Sequence, residues 1–184
     1  MDRFQNKYRI PSARANWHGY DGGVYFVTIC TKNREHFFGE IENGEMKLSI
    51  IGNYADKCWR EIPQHFPDAE IPLWVVMPNH IHGIITIRPS EPIVETQNFA
   101  SLQIDKQTAS IGNKFGPQSM NLASIIRGFK IGVSKYANTN NIPFAWQARY
   151  HDRIVRNQDE LNRIGTYIEN NVANWQTDEL NKME

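Results

Sequence analysis

The residues best able to do chemistry fall in two short stretches. His80-Ile81-His82 lies inside VVMPNHIHGIITI, and Tyr167 lies in GTYIENN, four residues before Asn171. Along a β-strand successive side chains alternate between faces, so His80 and His82 point one way while Ile81 enters the core. Their backbones then stand about 7 Å apart by strand rise. Each imidazole can present a ring nitrogen to one divalent cation. Two histidines at the start of so apolar a strand also need polar partners. A bare HxH is equally compatible with two satisfied surface histidines. A metal would need further ligands, and His151, Asp152, Glu169, Asn170 and Asn171 all qualify by residue type. On a helix, Tyr167 and Asn171 share a face about one turn apart, so a phenol and an amide can reach one site. Taken alone, Tyr167 suits packing better than catalysis.

The elements that must position these groups follow from hydrophobic periodicity. Residues 23–31, GVYFVTICT, read as a strand of β-branched and aromatic residues. KNREHFFGEIENG reads as a loop, with a short strand at 46–49. Helical spacing of Tyr54, Cys58, Trp59, Ile62 and Phe66 predicts a helix over 53–66, limited by Pro63. Residues 71–77 and 81–88 read as buried strands joined by the turn residues Pro78-Asn79. Residues 120–137 form an amphipathic helix, capped by Ser119 or Asn121. RYHDRIVR, within 144–156, is a strand candidate. Asn157 caps a final helix over about 158–171, and Trp175 folds the tail back. A split βαβ pattern of this order fits an α+β fold, a ferredoxin-like βαββαβ sandwich with an antiparallel sheet, whose C-terminal helix carries Tyr167. The expected organisation is one domain over 1–184, with an N-terminal arm at 1–20 and a flexible, polar insertion at 89–119.

The chain has 184 residues and zero formal net charge, which counts against nucleic-acid binding. The distribution counts the other way. From Lys106 to Arg156 the basic residues are Lys106, Lys114, Arg127, Lys130, Lys135, Arg149, Arg153 and Arg156, and the sole acid is Asp152. The N-terminal arm, with Arg3, Lys7, Arg9 and Arg14, is also basic. One basic face can therefore hide in a neutral total. Cys30 and Cys58 read as buried free thiols. No apolar run is long enough to span a bilayer, and the N-terminus lacks a secretory signal, so a cytoplasmic location is expected.

Four stretches, GGVYFVTICTKNREHFFGEI, LWVVMPNHIHGIITI, SIIRGFKIGVSKYAN and FAWQARYHDRIVRNQDELNRIGTYIENNVANW, carry a resemblance. The chain resembles the single-tyrosine transposases of bacterial insertion sequences, most of all the REP-associated tyrosine transposases of the HUH endonuclease superfamily. The resemblance covers most of the chain outside 89–119. It implies a metal-dependent single-strand DNA endonuclease and strand transferase acting on hairpin-bearing DNA through a 5′-phosphotyrosine. His80 and His82 match the two metal-binding histidines, Tyr167 the nucleophile, and Asn171 the residue that completes the site for Mg²⁺ or Mn²⁺. Val172 stands where the family commonly has proline, and Asn170 adjoins Asn171, so the ligand assignment could slip by one. Helix geometry favours Asn171. The implied DNA contacts are Arg127, Lys130 and Lys135 on the long helix, Arg149 and Arg153 on one strand face with Arg156 on the other, and Arg14 in the arm. Trp17, Tyr20 and Trp146 could stack on bases, although a core role suits each better. The expected assembly is a monomer or homodimer. Two rival readings are a domesticated DNA-binding protein of the same fold and a phosphoesterase that needs no tyrosine.

Overall fold

The computed structural model describes residues 22–88 and 121–181, together with a small ribbon in the N-terminal arm formed by β1 (Arg3–Phe4) and β2 (Lys7–Tyr8). The expectations for the 89–119 insertion, Arg14, Trp17 and Tyr20 lie outside the described residues. A four-stranded antiparallel sheet organises the rest. Its strands are β3 (Gly23–Cys30), β6 (Ala69–Met77), β7 (His80–Ile87) and β8 (His151–Ile154). They lie in the order β6-β7-β3-β8. With α1 (Ile50–Arg60) between β3 and β6, and α3 (Leu122–Thr139) between β7 and β8, this is the expected βαββαβ sandwich. Among the described residues no helix is long and apolar enough to cross a membrane.

Strand alternation gives the sheet two different faces. Tyr25, Val27 and Ile29 of β3 and Ile81 and Ile85 of β7 are fully buried against α1 and α3, with Trp59, Ile126, Phe129 and Val133 among the opposing residues. Gly83 lies on this same face, and Trp59 packs directly over its Cα. The other face carries Val24 and Phe26 of β3 and Ile84 of β7. There they meet Leu161, Ile164 and Ile168 of α4 (Gln158–Glu169) in a smaller apolar cluster. The sheet is thus sandwiched, with α4 on the histidine face.

Local signals explain the boundaries and five departures from the sequence expectations. Ser49 accepts a bond from the Gly52 N–H, so α1 starts three residues earlier than the apolar spacing suggested. Pro63 then falls at the start of a separate one-turn helix, α2 (Ile62–His65), instead of ending α1. The stretch taken as a loop before residue 46 contains a strand: β4 (Gly39–Glu42) pairs with β5 (Glu45–Leu48). Asn43 and Gly44 form its turn with φ of 53° and 79°, the left-handed pair that a two-residue hairpin demands. Asn121 caps α3 in a reciprocal box with Ser124. β8 is confined to 151–154 because Arg149 adopts φ of 74° and interrupts the extended chain. Finally, α4 ends at Glu169 with Asn170 as its C-cap, so Asn171 sits in the turn beyond the helix.

Cys30 is buried and Cys58 half-buried, and neither is in a disulfide. Trp146 is a core residue, packed among Phe38, Phe129 and Phe144 with its indole N–H donated to the Lys130 carbonyl.

Candidate metal and nucleophile site

β7 is hydrogen-bonded along its length to β3 on one side and β6 on the other, so its register is locked. This holds His80 and His82 on the α4 face with ring centroids 4.4 Å apart. Both are buried. Asn79 sets the tautomer of His80. Its amide nitrogen donates to the carbonyls of Arg34 and Leu180, at 3.1 and 2.7 Å, which fixes the amide orientation. Its oxygen therefore faces His80 Nδ1 at 2.8 Å, and Nδ1 must carry the proton. The lone pair of His80 is then on Nε2, which is buried and has no hydrogen-bond partner.

His82 is oriented in the same manner. Its Nδ1 lies 2.8 Å from Thr28 Oγ1, on the opposing residue of β3. With Nδ1–H donated there, Nε2 presents a lone pair, and the Tyr167 hydroxyl donates to it at 3.1 Å. Tyr167 also packs edge-on against Phe26, which stacks on the His82 ring. Tyr167 as a whole is 44% exposed, so it touches the histidine and is still open to solvent.

Asn171 and the tail close the site. Asn171 is buried and its Oδ1 has no hydrogen-bond partner, whereas exposed Asn170 turns back to the Thr166 carbonyl. The burial of one and the exposure of the other favour Asn171 at the site, although it reaches there from the turn and not from the helix face. Trp175 packs over the His80 ring. Three residues further on, Asp178 places a carboxylate oxygen in a group with His80 and His82 whose ligand atoms all lie within 4.8 Å of one another. This cluster could hold a metal ion. The other candidates do not join it: His151 is exposed on the edge strand and Glu169 is exposed on α4.

Electrostatics suit cation binding. Burial holds His80 well below its ordinary pKa, and the neighbouring His82 and Arg34 push the same way. Burial brings His82 down to about 3. Both are therefore neutral at pH 7, the form in which an imidazole can bind a cation. Burial raises the Tyr167 phenol, with the charges of Asp178 and Glu179 adding, while a hydrogen bond from Asn171 works against the shift. A buried acceptor left bare costs about 1–3 kcal/mol. His80 Nε2 and Asn171 Oδ1 are two such acceptors, and one cation would satisfy both.

The basic residues separate into two surfaces. Arg127, Lys130, Lys135 and Arg149 line a groove of about 720 Å³ along α3, with Tyr150 at its wall. Lys130 Nζ donates to the carbonyls of Gln147 and Arg149, which fixes the groove's end. Arg153 and Arg156 line a second cleft of about 810 Å³ beside α4, with Arg163 and Thr166. The expected pairing of Arg149 with Arg153 on one strand face is therefore corrected: the left-handed backbone at Arg149 breaks the alternation before the strand begins. Arg153 pairs with the buried Glu160, which also accepts from the Arg156 N–H. Sequence reasoning missed Asn79 and Asp178. Asn79 was legible only as a turn residue, and Asp178 lies eleven residues beyond Tyr167 with no local spacing to tie it to the histidines.

The arrangement of this antiparallel sheet and its helices has counterparts among solved structures. One is a REP-associated tyrosine transposase bound to a REP hairpin, with a TM-score of 0.58 and 17% identity over 90% of this chain and 74% of that one. The fold is thus that of REP-associated tyrosine transposases. By sequence, the chain is 39% identical over 159 residues to a protein of Haemophilus influenzae that carries no functional description, covering 86% of this chain and 84% of that protein. The chain belongs to one family with that protein. No family model matches the sequence.

Proposed function

We propose that this protein is a DNA transposase of the HUH tyrosine class, a metal-dependent endonuclease and strand transferase for single-stranded DNA bearing hairpins. The observation that carries the reading is the convergence of a solvent-accessible tyrosine, Tyr167, on a buried histidine pair: its hydroxyl lies 3.1 Å from His82 Nε2, and the neighbouring His80 Nε2 is without a hydrogen-bond partner. The similar solved structure, with its bound REP hairpin, supports hairpin DNA as the substrate class.

His80, His82 and Asn171 would hold the cation through two imidazole nitrogens and an amide oxygen, a donor set that suits Mn²⁺ well and Mg²⁺ acceptably. When bound, the cation supplies Lewis-acid polarisation of the scissile phosphate. The chain's own part is nucleophilic. Tyr167 Oη attacks phosphorus, the Oη–P bond forms, and the bond from phosphorus to the 3′ oxygen breaks. The electron pair leaves on that oxygen, which takes a proton from water to become a 3′-hydroxyl. The phenol proton passes to solvent. A 3′-hydroxyl from another strand reverses these bonds and rejoins the DNA without ATP, because the phosphodiester energy is kept in the tyrosine link. Arg127, Lys130, Lys135 and Arg149 in one groove, and Arg153 and Arg156 in the other, supply phosphate contacts. Arg14 in the arm is proposed to join them. Such a protein would act on DNA in the cytoplasm, as a monomer or a homodimer.

The test is a denaturing gel with labelled single-stranded DNA carrying a hairpin that flanks the gene, in Mn²⁺ or Mg²⁺, comparing wild type with Tyr167→Phe. A covalent protein–DNA adduct in wild type that is absent from the variant is expected. Cleavage by both proteins without an adduct would replace the transferase with a hydrolase. Binding without cleavage by either would make the protein a DNA-binding descendant of the fold.

A further inference from the structure

We propose that Asp178 is itself a metal ligand, delivered by the tail 175–181, so that cation binding and docking of this tail are one linked event. The inference rests on the metal reading of the histidine pair given above and adds to it a ligand and a coupling. A cation held by two neutral imidazoles and a neutral amide keeps its whole charge in a buried site, where uncompensated charge is costly. A carboxylate removes one unit of that charge, and hard divalent cations favour anionic oxygen.

The geometry points to Asp178 as that carboxylate. One oxygen, Oδ1, accepts the Leu180 N–H at 2.7 Å, which holds the group still. The other, Oδ2, lies 3.4 Å from the Asn171 amide nitrogen. That contact turns the Asn171 Oδ1 lone pairs elsewhere, and Oδ1 is the buried atom without a partner. His80, whose Nε2 is equally without a partner, belongs to the same group as Asp178.

The tail is fastened at the points that set the site. Leu180 O accepts from the Asn79 amide that also fixes the His80 tautomer. Glu179 O accepts from Arg34 at 2.9 Å. Trp175 covers the His80 ring. Orientation of the first histidine and seating of the tail therefore share one side chain, Asn79. By linkage, whatever stabilises the seated tail tightens the cation, and the cation stabilises the seated tail by an equal free energy.

Isothermal titration of Mn²⁺ into chelator-stripped full-length protein tests this, using wild type, Asp178→Ala and the isosteric Asp178→Asn, with His80→Ala as the site control. The expected result is at least a tenfold weaker Kd for Asp178→Ala and a loss for Asp178→Asn as well, with far-UV circular dichroism unchanged. In hydrogen exchange, Mn²⁺ should slow the amides of Asp178, Leu180 and Asn181 in wild type and leave them unchanged in Asp178→Ala. An Asp178→Ala Kd within twofold of wild type, or tighter, overturns the ligand role. Weaker binding without any change in exchange overturns the coupling. If wild type and His80→Ala both fail to bind Mn²⁺, the metal reading of the histidine pair falls, and the Asp178 proposal with it.

Discussion

Replacing Gly83 with alanine should destabilise the protein by about 2 kcal/mol, within the 1–3 kcal/mol typical of overpacking a core. Gly83 follows His82 on β7 and is the point where the sheet admits the α1 tryptophan. An added Cβ would overlap Cζ2 of Trp59 and lie 3.0 Å from Cε2. The indole cannot simply withdraw. It is fully buried and stands edge-on to Phe129 of α3 at 5.0 Å between ring centroids. The clash must be met by moving α1, α3 or the β7 backbone. For a chain of this size each kcal/mol shifts the melting temperature by about 2–4 °C, so a drop of about 4–8 °C is expected. Urea unfolding followed by tryptophan fluorescence reads the same change as free energy. Trp59→Phe shortens the ring and should relieve the clash, so the double variant should be more stable than the sum of the two single losses predicts, by about 1 kcal/mol. A Gly83→Ala protein within 0.5 kcal/mol of wild type, or a strictly additive double variant, would refute the account of β7 and α1 packing.

Acid should weaken the metal-free protein through its histidines. Folding holds His80 and His82 below their ordinary pKa, so the unfolded chain binds more protons below about pH 6.5, and stability falls by about 1.4 kcal/mol per pH unit for each histidine. Chelated wild type should show this slope in urea midpoints between pH 6.5 and 4.5, and His82→Asn should show a shallower one. Glu160 acts at lower pH: the Arg156 N–H, then Arg153, hold its carboxyl below the usual range. Its stabilisation is full above the ordinary carboxylate pKa and is lost as pH falls through the lowered value, and Glu160→Gln should remove that part of the acid dependence. Asn79→Ala, which frees the His80 tautomer and unfastens Leu180, should weaken Mn²⁺ binding by about 10–100-fold in calorimetry.

The sandwich was legible because its strands and helices carry strong periodicity. Ile81, Ile85 and Val27 announce one buried face, and the stripe through Ile125, Phe129 and Val133 announces a helix. The cap Asn157 was readable from residue type and position, and Asn121 was one of two candidates for the cap of α3. The hairpin at 39–48 was read only in its second strand although Asn43-Gly44 is a standard hairpin turn, because its four-residue strands are half-buried and too short for their alternation to stand out. The proximity of His80, His82 and Tyr167 followed from spacing together with family resemblance. Asp178 and Asn79 did not follow, since their roles arise from contacts between the tail and a turn 101 residues away in sequence. The break at Arg149 is a backbone conformation that an arginine does not advertise.

The two halves of the site have different mechanical origins, and that shapes how the protein can decay or be remodelled. His80 and His82 sit in a strand paired on both sides, and they cannot be displaced without dismantling the sheet. Tyr167 rides on a helix held to that sheet by a small apolar seam of Ile84, Ile164 and Ile168. Substitutions along the seam would detune the tyrosine and leave the fold standing. On the proposed function, a lineage released from selection for transposition would lose the placement of Tyr167 first, and a stable scaffold with its histidine pair and basic grooves would be what is left for new use.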